Sequence, residues 1–534
     1  MSLVGQKIKQ AVKAALKPSS RKIALLCLYG YIASVFLGQY ITGVSLDWRT
    51  WIVPVLLAGA VIAAAVTDKL CQAAFRTETG NAQAKNGQAV CFAVCFLCTF
   101  GVLMAYYYAF FPGSFSPDSN GQLAQAISGN YSDWHPFIHT LLFFTIPMKI
   151  WGAEEMIVFL QLLYFSAGLA YLLMTVRTYG CPWHVCALGL FLVLLSPVTG
   201  NILMYPWKDC GLAIFSMAAT AHYIHIILSR GEWLRKKRNA VVCSLFLALT
   251  ALVRHNAILF VLPMAAALMA AGWKRYKMRV CSVIAMSAVI LLLMKIPLYH
   301  AFKVEKPGGR ILESTGMCMV VMGNVVKNCP EALEDEVREF LYKVSPKEVW
   351  EEVYGTGNFN SVKWRPETDV AVIEQAGAIK LLKYTFQAFR ASEMYSLQAF
   401  LQLTGMVWKL DGDLSWNIGA YADTEKTGIT LDAAKQEKAG LLVKNWKTLM
   451  DKSVLRYPMY YIGWFNLALI ALALTGIRGK RDWIRIVHAL PLLCYNFGTA
   501  LLLTGFDWRF FYLNFPLIVP TAFLLARHTQ EVAE

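Results

Sequence analysis

Four short stretches of this chain carry side chains able to move a proton or hold an anion. The first reads Ser116-Pro-Asp-Ser-Asn-Gly-Gln and resumes after Gly129 as Asn-Tyr-Ser-Asp-Trp-His-Pro-Phe-Ile-His-Thr. It packs Asp118, Asp133, His135 and His139 between two hydrophobic elements. A carboxylate there can act as a general base where water meets lipid. A second use stays open, because Ser-Pro-Asp-Ser is also good chemistry for starting a helix. The second stretch, Tyr205-Pro-Trp-Lys-Asp, sets Lys208 beside Asp209 at the end of an apolar run. Ionisable groups at membrane depth are functional candidates by default. The alternative is a snorkelling lysine next to a helix-starting aspartate. The third, Arg254-His-Asn, lies between two apolar runs. The planar fork of arginine suits phosphate. The fourth, Phe506-Asp-Trp-Arg-Phe-Phe-Tyr, holds Arg509. That arginine can bind an anion, or can pair locally with Asp507 and stack on Trp508 or Tyr512. His135 and His139 stand four apart and with Asp118 could ligate a metal. Pro136 disturbs that pairing and no matching cluster exists elsewhere, so no cofactor is expected and a divalent metal is not favoured.

The elements that must position these groups follow from composition. The chain has 534 residues, 57% hydrophobic and only 16% charged. Soluble domains carry about a quarter charged residues, so a soluble enzyme and a disordered chain are both excluded. Net charge is 50 − 34 = +16. No nucleic-acid motif accompanies it, and no nucleic-acid partner is expected; the charge is explained by basic loops sorting to the cytoplasmic side. Apolar runs long enough to span a bilayer fall at 23–44, 51–67, 89–111, 156–176, 185–204, 209–230, 240–254, 257–273, 281–298, 457–476, 484–504 and 509–526. Basic loops stand at Arg235 to Arg238, Lys274 to Arg279 and Arg478 to Arg481, and a basic tail holds Lys7, Lys9, Lys13 and Lys17. Placing all of these in the cytoplasm requires 137–151 to be a re-entrant or surface helix, although a full span is the alternative. The expected fold is an all-α polytopic membrane protein of about twelve spans in the cell membrane, with both termini cytoplasmic. Loops 112–136, 205–208 and 505–508 then face outward.

The chain is expected to divide into an N-terminal transmembrane module, 1–298, carrying the outward loop 112–136, then a small, mostly helical extracytoplasmic domain, 299–456, and C-terminal transmembrane helices, 457–534. The middle segment turns acidic and has no run long enough to span. Within it, Ile373 to Trp408 has helical periodicity and reads as one amphipathic helix on the membrane surface, in contact with membrane lipids. Cys318 and Cys329 lie in the outward segment, eleven residues apart by numbering, and an oxidising compartment favours a disulfide between them.

A long outward loop after an early span, carrying Pro-Asp-Ser and ending in His-Pro, resembles the GT-C superfamily of integral-membrane glycosyltransferases. Within it the chain looks like bacterial relatives of protein O-mannosyltransferases and lipid A aminoarabinose transferases, in a poorly characterised branch. The likeness covers 89–300 and 457–526, with Lys208-Asp209 and Arg509-Phe-Phe-Tyr fitting the layout. It implies packed helices around an outward-facing cavity and a polyprenyl-phosphate sugar as donor. It also implies Asp118 as the base toward the acceptor hydroxyl, Asp209 as a second acidic residue positioning substrate, and Lys208, Arg254 and Arg509 on the donor phosphate. Asp133, His135 and His139 are further substrate-binding candidates. The acceptor, a glycan, lipid or protein, and the sugar stay open. The rival readings are a lipid or polysaccharide transporter or flippase, and a polysaccharide polymerase or ligase.

Overall fold

The computed structural model describes residues 19–43, 52–76, 87–308, 310–411, 433–454, 456–505 and 507–531. The basic tail that includes Lys7 and Lys17 lies outside them. Among the described residues there are helices and two isolated bridges, with no strand.

Nine described helices are long and apolar enough to cross a membrane: Ser20–Gly43, Ile52–Gln72, Gln88–Ala109, Glu155–Thr178, Lys208–Leu228, His255–Gly272, Lys277–Ala301, Lys480–Leu502 and Trp508–Arg527. Two shorter apolar helices, Trp183–Leu194 and Ile462–Thr475, complete the alternation between the two ends of the bundle. Lys237–Leu252 does the same, running from the basic loop at 235–238 to Arg254. The chain is therefore a multi-pass, all-helical membrane protein with about the expected number of spans. The three basic loops gather at one end. The four candidate stretches gather at the other, which we call the site end. At the basic-loop end Arg21 pairs with Asp68 and donates to the carbonyl of Thr475, tying three spans together.

Phe137–Trp151 is a single short helical run with a π-turn at Leu141–Thr145.

The segment 299–456 is seated on the site end of the bundle. The Gly316–Asn328 helix begins against the backbone of Leu503, where a β-carbon at Gly316 would come within 2.5 Å. The amide of Phe359 donates to the carbonyl of Thr504 at 2.7 Å. Trp350 is wholly buried beside Tyr354, whose hydroxyl donates to the carbonyl of Val320 at 2.6 Å. These buried residues belong to one apolar core that continues down into the spans.

Two expectations fail here. Ile373 to Trp408 is not one surface helix. It is two, Val370–Ala391 and Glu393–Trp408, broken at Ser392, and the first is kinked at Gly377 (φ 74°, ψ 158°). Ser392 has extended backbone and caps the second helix by accepting from the amide of Tyr395. The second helix packs on protein rather than lipid: its Trp408 ring fills the space over Gly38, and Val407 accepts from Asn466 at 2.7 Å. The Cys318–Cys329 disulfide is also absent, and both thiols are free. One helix, Gly316–Asn328, separates them. Eleven residues of helix put them roughly 16 Å apart along the axis, far beyond the ~7 Å between α-carbons that a disulfide can bridge.

Candidate functional site

Asp118 is placed by local sequence. Ser116 caps the helix Pro117–Ser128, its hydroxyl accepting from the amide of Ser119, and Pro117 takes the first helical position, where a missing N–H costs nothing. Asp118 follows in the first turn, so it is not the cap. Its carboxylate leaves the helix and meets Arg509 Nη1 through Oδ2 at 3.1 Å.

Arg509 is held on three sides. Asp507 pairs with its Nε at 3.0 Å and also accepts from its amide at 3.0 Å, capping the short turn Trp508–Phe511. The guanidinium lies over the ring of Trp207, 4.8 Å from its centroid. Trp207 in turn stacks on Tyr205 at 4.2 Å and donates its indole N–H to the Ser116 hydroxyl at 2.7 Å. One indole thus joins the cap of the Asp118 helix to the arginine that faces Asp118.

The adjacent Lys208 and Asp209 face different partners. The ammonium of Lys208 donates to Nδ1 of His135 at 3.0 Å, so His135 is neutral in this arrangement. Burial, and then the Lys208 charge, push the His135 imidazolium down to about 3. Asp209 is buried and ion-paired with buried Arg254. Arg254 also donates to the Asn256 side chain, and Asn256 to the Thr499 hydroxyl at 2.9 Å. The Phe510 ring lies 4.6 Å from the Arg254 guanidinium and 5.0 Å from that of Arg509, so both cations meet one ring.

The result is a cluster of three carboxylates, Asp118, Asp209 and Asp507, against three cations, Lys208, Arg254 and Arg509. Burial raises the Asp118 carboxyl, but the charges of Arg509 and Lys208 outweigh it and hold the group at about 2. The cluster is balanced at neutral pH. An added anion can reach either arginine only by taking it from a carboxylate, whereas Lys208 contacts the neutral His135.

Six of the eight candidates from the sequence therefore meet, as the ion pairs Asp118–Arg509 and Asp209–Arg254 and the contact between Lys208 and His135. The other two are in the scaffold. Asp133 is buried and its Oδ1 accepts from the Tyr299 hydroxyl at 2.8 Å and from the amide of Phe137 at 3.3 Å, fixing the start of the next helix. His139 is fully buried, stacked on Phe143 at 4.8 Å, with Nδ1 bonded to the Gln122 amide at 2.9 Å. The two histidines thus have separate partners, and among the described residues no three potential ligands converge on a metal position. Ser116 fills the helix-starting role that Ser-Pro-Asp-Ser offers, whereas Trp207, Asn256 and Phe510 have no role assigned from sequence. For Trp207 a signal existed, since it directly precedes the Lys-Asp pair. For Phe510 only the spatial meeting of residues 254 and 509 reveals its place.

No protein-family model matches the chain, and no curated protein matches it. Among solved structures it is similar to ArnT from Cupriavidus metallidurans bound to undecaprenyl phosphate, at 13% identity over 84% of this chain and 78% of that one, with a TM-score of 0.31. It is similar also to the same protein in the apo state, at 14% identity over 83% and 78%, with a TM-score of 0.30.

Proposed function

We propose that this protein is a membrane glycosyltransferase of the GT-C type. It moves a sugar from a polyprenyl-phosphate donor to an acceptor hydroxyl on the extracytoplasmic side, in the modification of cell-envelope glycans or glycolipids. One observation carries the reading: Asp118, ionised and half-buried, faces a cluster of three cations at the end of the bundle opposite the basic loops. The bias of basic loops toward the cytoplasm supports an outward-facing site end.

Departure of a lipid phosphate builds negative charge on its oxygens, and fixed cations stabilise that charge without reorganising. Arg509 and Arg254 offer planar forks and Lys208 a point charge. The bond from the anomeric carbon to the phosphate oxygen breaks, and its electron pair stays on the phosphate. The acceptor oxygen bonds to the anomeric carbon, and the acceptor proton goes to Asp118. At about 2 the free carboxylate is a weak base. A phosphate that takes Arg509 removes the largest stabilising charge, and burial then pushes Asp118 up. Donor binding and base activation are in this way one event.

The test is purified protein in proteoliposomes with a polyprenyl-phosphate sugar and soluble glycan acceptors. Transfer, or slow donor hydrolysis, without movement of donor across the bilayer supports the reading. Lipid translocation with no cleavage of the sugar–phosphate bond refutes it and favours a flippase.

A further inference from the structure

The helix Val370–Ala391 has a face that the proposed chemistry does not use. After the kink at Gly377, residues 378–391 are helical with two opposite apolar faces. Leu381, Tyr384 and Ala388 are buried, Tyr384 against Phe340 at 5.2 Å. On the other side Ile379 is 87% exposed, Leu382 54%, Phe386 64% and Phe389 42%. At about 100° per residue these four fall within an arc of roughly 80°, a continuous strip rather than scattered apolar residues. Lys383 and Arg390 are exposed beside it. The strip ends one turn before Ser392, where the chain passes into Glu393–Trp408, packed on the spans Ser20–Gly43, Ile462–Thr475 and Ile484–Leu502.

We propose that this strip is seated in the lipid surface at the site end, with Lys383 and Arg390 at the level of the lipid phosphates. Three observations select lipid as the occupant. The strip is tethered by a one-residue break to a helix lying on the spans, so it stands close to the bilayer edge. Its basic flank matches anionic headgroups, the composition of an interfacial amphipathic helix. A second copy across a two-fold axis would set the same lysine and arginine against themselves. The left-handed backbone at Gly377, a conformation that glycine adopts without strain, supplies the change of direction that turns the strip away from the preceding residues. The inference is independent of the glycosyltransferase reading, since it concerns only how the outer segment meets the membrane.

The experiment places 4-trifluoromethylphenylalanine at Phe386 in the full chain, reconstituted in nanodiscs of phosphatidylethanolamine and phosphatidylglycerol. A second sample carries the same label at exposed Glu351 as a solvent reference. Fluorine relaxation is read with a nitroxide on the lipid chain and, separately, with a soluble paramagnetic chelate. The expected result is a severalfold enhancement at position 386 by the lipid nitroxide, with weaker enhancement by the chelate than at position 351. Enhancement by the chelate alone, equal to that at 351, would overturn the proposal by showing a solvated strip. Protection from both agents would overturn it in favour of a protein partner.

Discussion

Asp118→Asn separates chemistry from architecture at the centre of the site. The change keeps the shape of the side chain and one carbonyl oxygen for Arg509, and removes the negative charge. The helix that carries it keeps its cap, because Ser116 and not Asp118 holds the amide of Ser119. Two stabilising terms are lost. One is the attraction of the folded-state cations, which hold the carboxyl at about 2 against an ordinary 3.8. At 1.36 kcal/mol per tenfold this difference is worth ~2 kcal/mol, and less once solvent screening of a side chain 33% exposed is allowed for. The other is an acidic group in the first helical turn, about 0.3–1 kcal/mol. Because the group's pKa is depressed, its stabilisation is fully present above pH 4 and lost only as pH falls toward 2. The whole penalty, roughly 2 kcal/mol, is therefore felt at pH 7. Against this, loss of a general base costs roughly 10²–10⁴-fold in rate. The expected outcome is a folded protein with a thermal midpoint lowered by a few degrees, donor binding retained or tightened because Arg509 is released, and transfer down at least about 10²-fold. Thermal unfolding in detergent, donor binding by calorimetry and transfer by mass spectrometry of the acceptor are the assays. Near-normal transfer by folded Asp118→Asn protein would refute the base assignment and move it to Asp209.

Other perturbations probe the neighbours. Arg509→Lys keeps charge but loses the fork shared by Asp118 and Asp507, so turnover should fall at least tenfold, and further in Arg509→Ala; steady-state kinetics with unchanged values would reduce Arg509 to a structural ion pair. Trp207→Phe keeps the ring under Arg509 and loses only the indole bond to Ser116, so it should cost less turnover than Trp207→Leu, which loses both; equal losses would show that the stacking is irrelevant. Arg254→Ala strands a buried Asp209 and should destabilise by about 3–5 kcal/mol, whereas pairing it with Asp209→Asn should recover much of this; no recovery in chemical denaturation would show that the pair is not coupled. The acid limb of kcat should lie at higher pH than that of kcat/KM, because the free carboxyl sits at about 2 and donor binding takes Arg509 from it; coincident limbs in the two pH profiles would disprove donor-driven activation.

The sequence disclosed which residues lie at which end of the bundle, and it did so for physical reasons. Apolar runs near twenty residues must cross, and basic loops sort together. What it could not disclose is azimuth, the direction each residue faces around its helix. Asp118 and Arg509 stand 391 positions apart, and nothing local to either marks the other as its partner. The same lack of azimuth explains Asp133 and His139. Their types suit a site, yet one ties Tyr299 to a helix start and the other stacks on Phe143. The disulfide expectation failed on rise rather than azimuth, since eleven residues close in number are far apart on a helix. The single surface helix at 373–408 fails because the apolar periodicity runs on across Ser392, a residue whose side chain can cap a new helix as readily as sit within an old one.

The balance of charge in the cluster bears on how such a site persists before it meets substrate. Three cations alone, partly buried among aromatic rings, would repel one another and destabilise the bundle. Pairing two arginines with carboxylates offsets that cost, and both guanidiniums also rest against the Phe510 ring. Lys208 is the exception, for its near partner His135 is neutral and offers only a lone pair. It is thus the cation least committed to a carboxylate in contact with it. A phosphate approaching the cluster gains most by meeting Lys208 first, and only then competes with Asp118 for Arg509. Asp209 stays with the more deeply buried Arg254, where breaking the pair costs most. The order of exchange follows from pairing and then burial: Lys208, then Arg509, and Arg254 last. It leaves Asp118, at the more exposed of the two ion pairs, as the carboxylate that an incoming anion sets free.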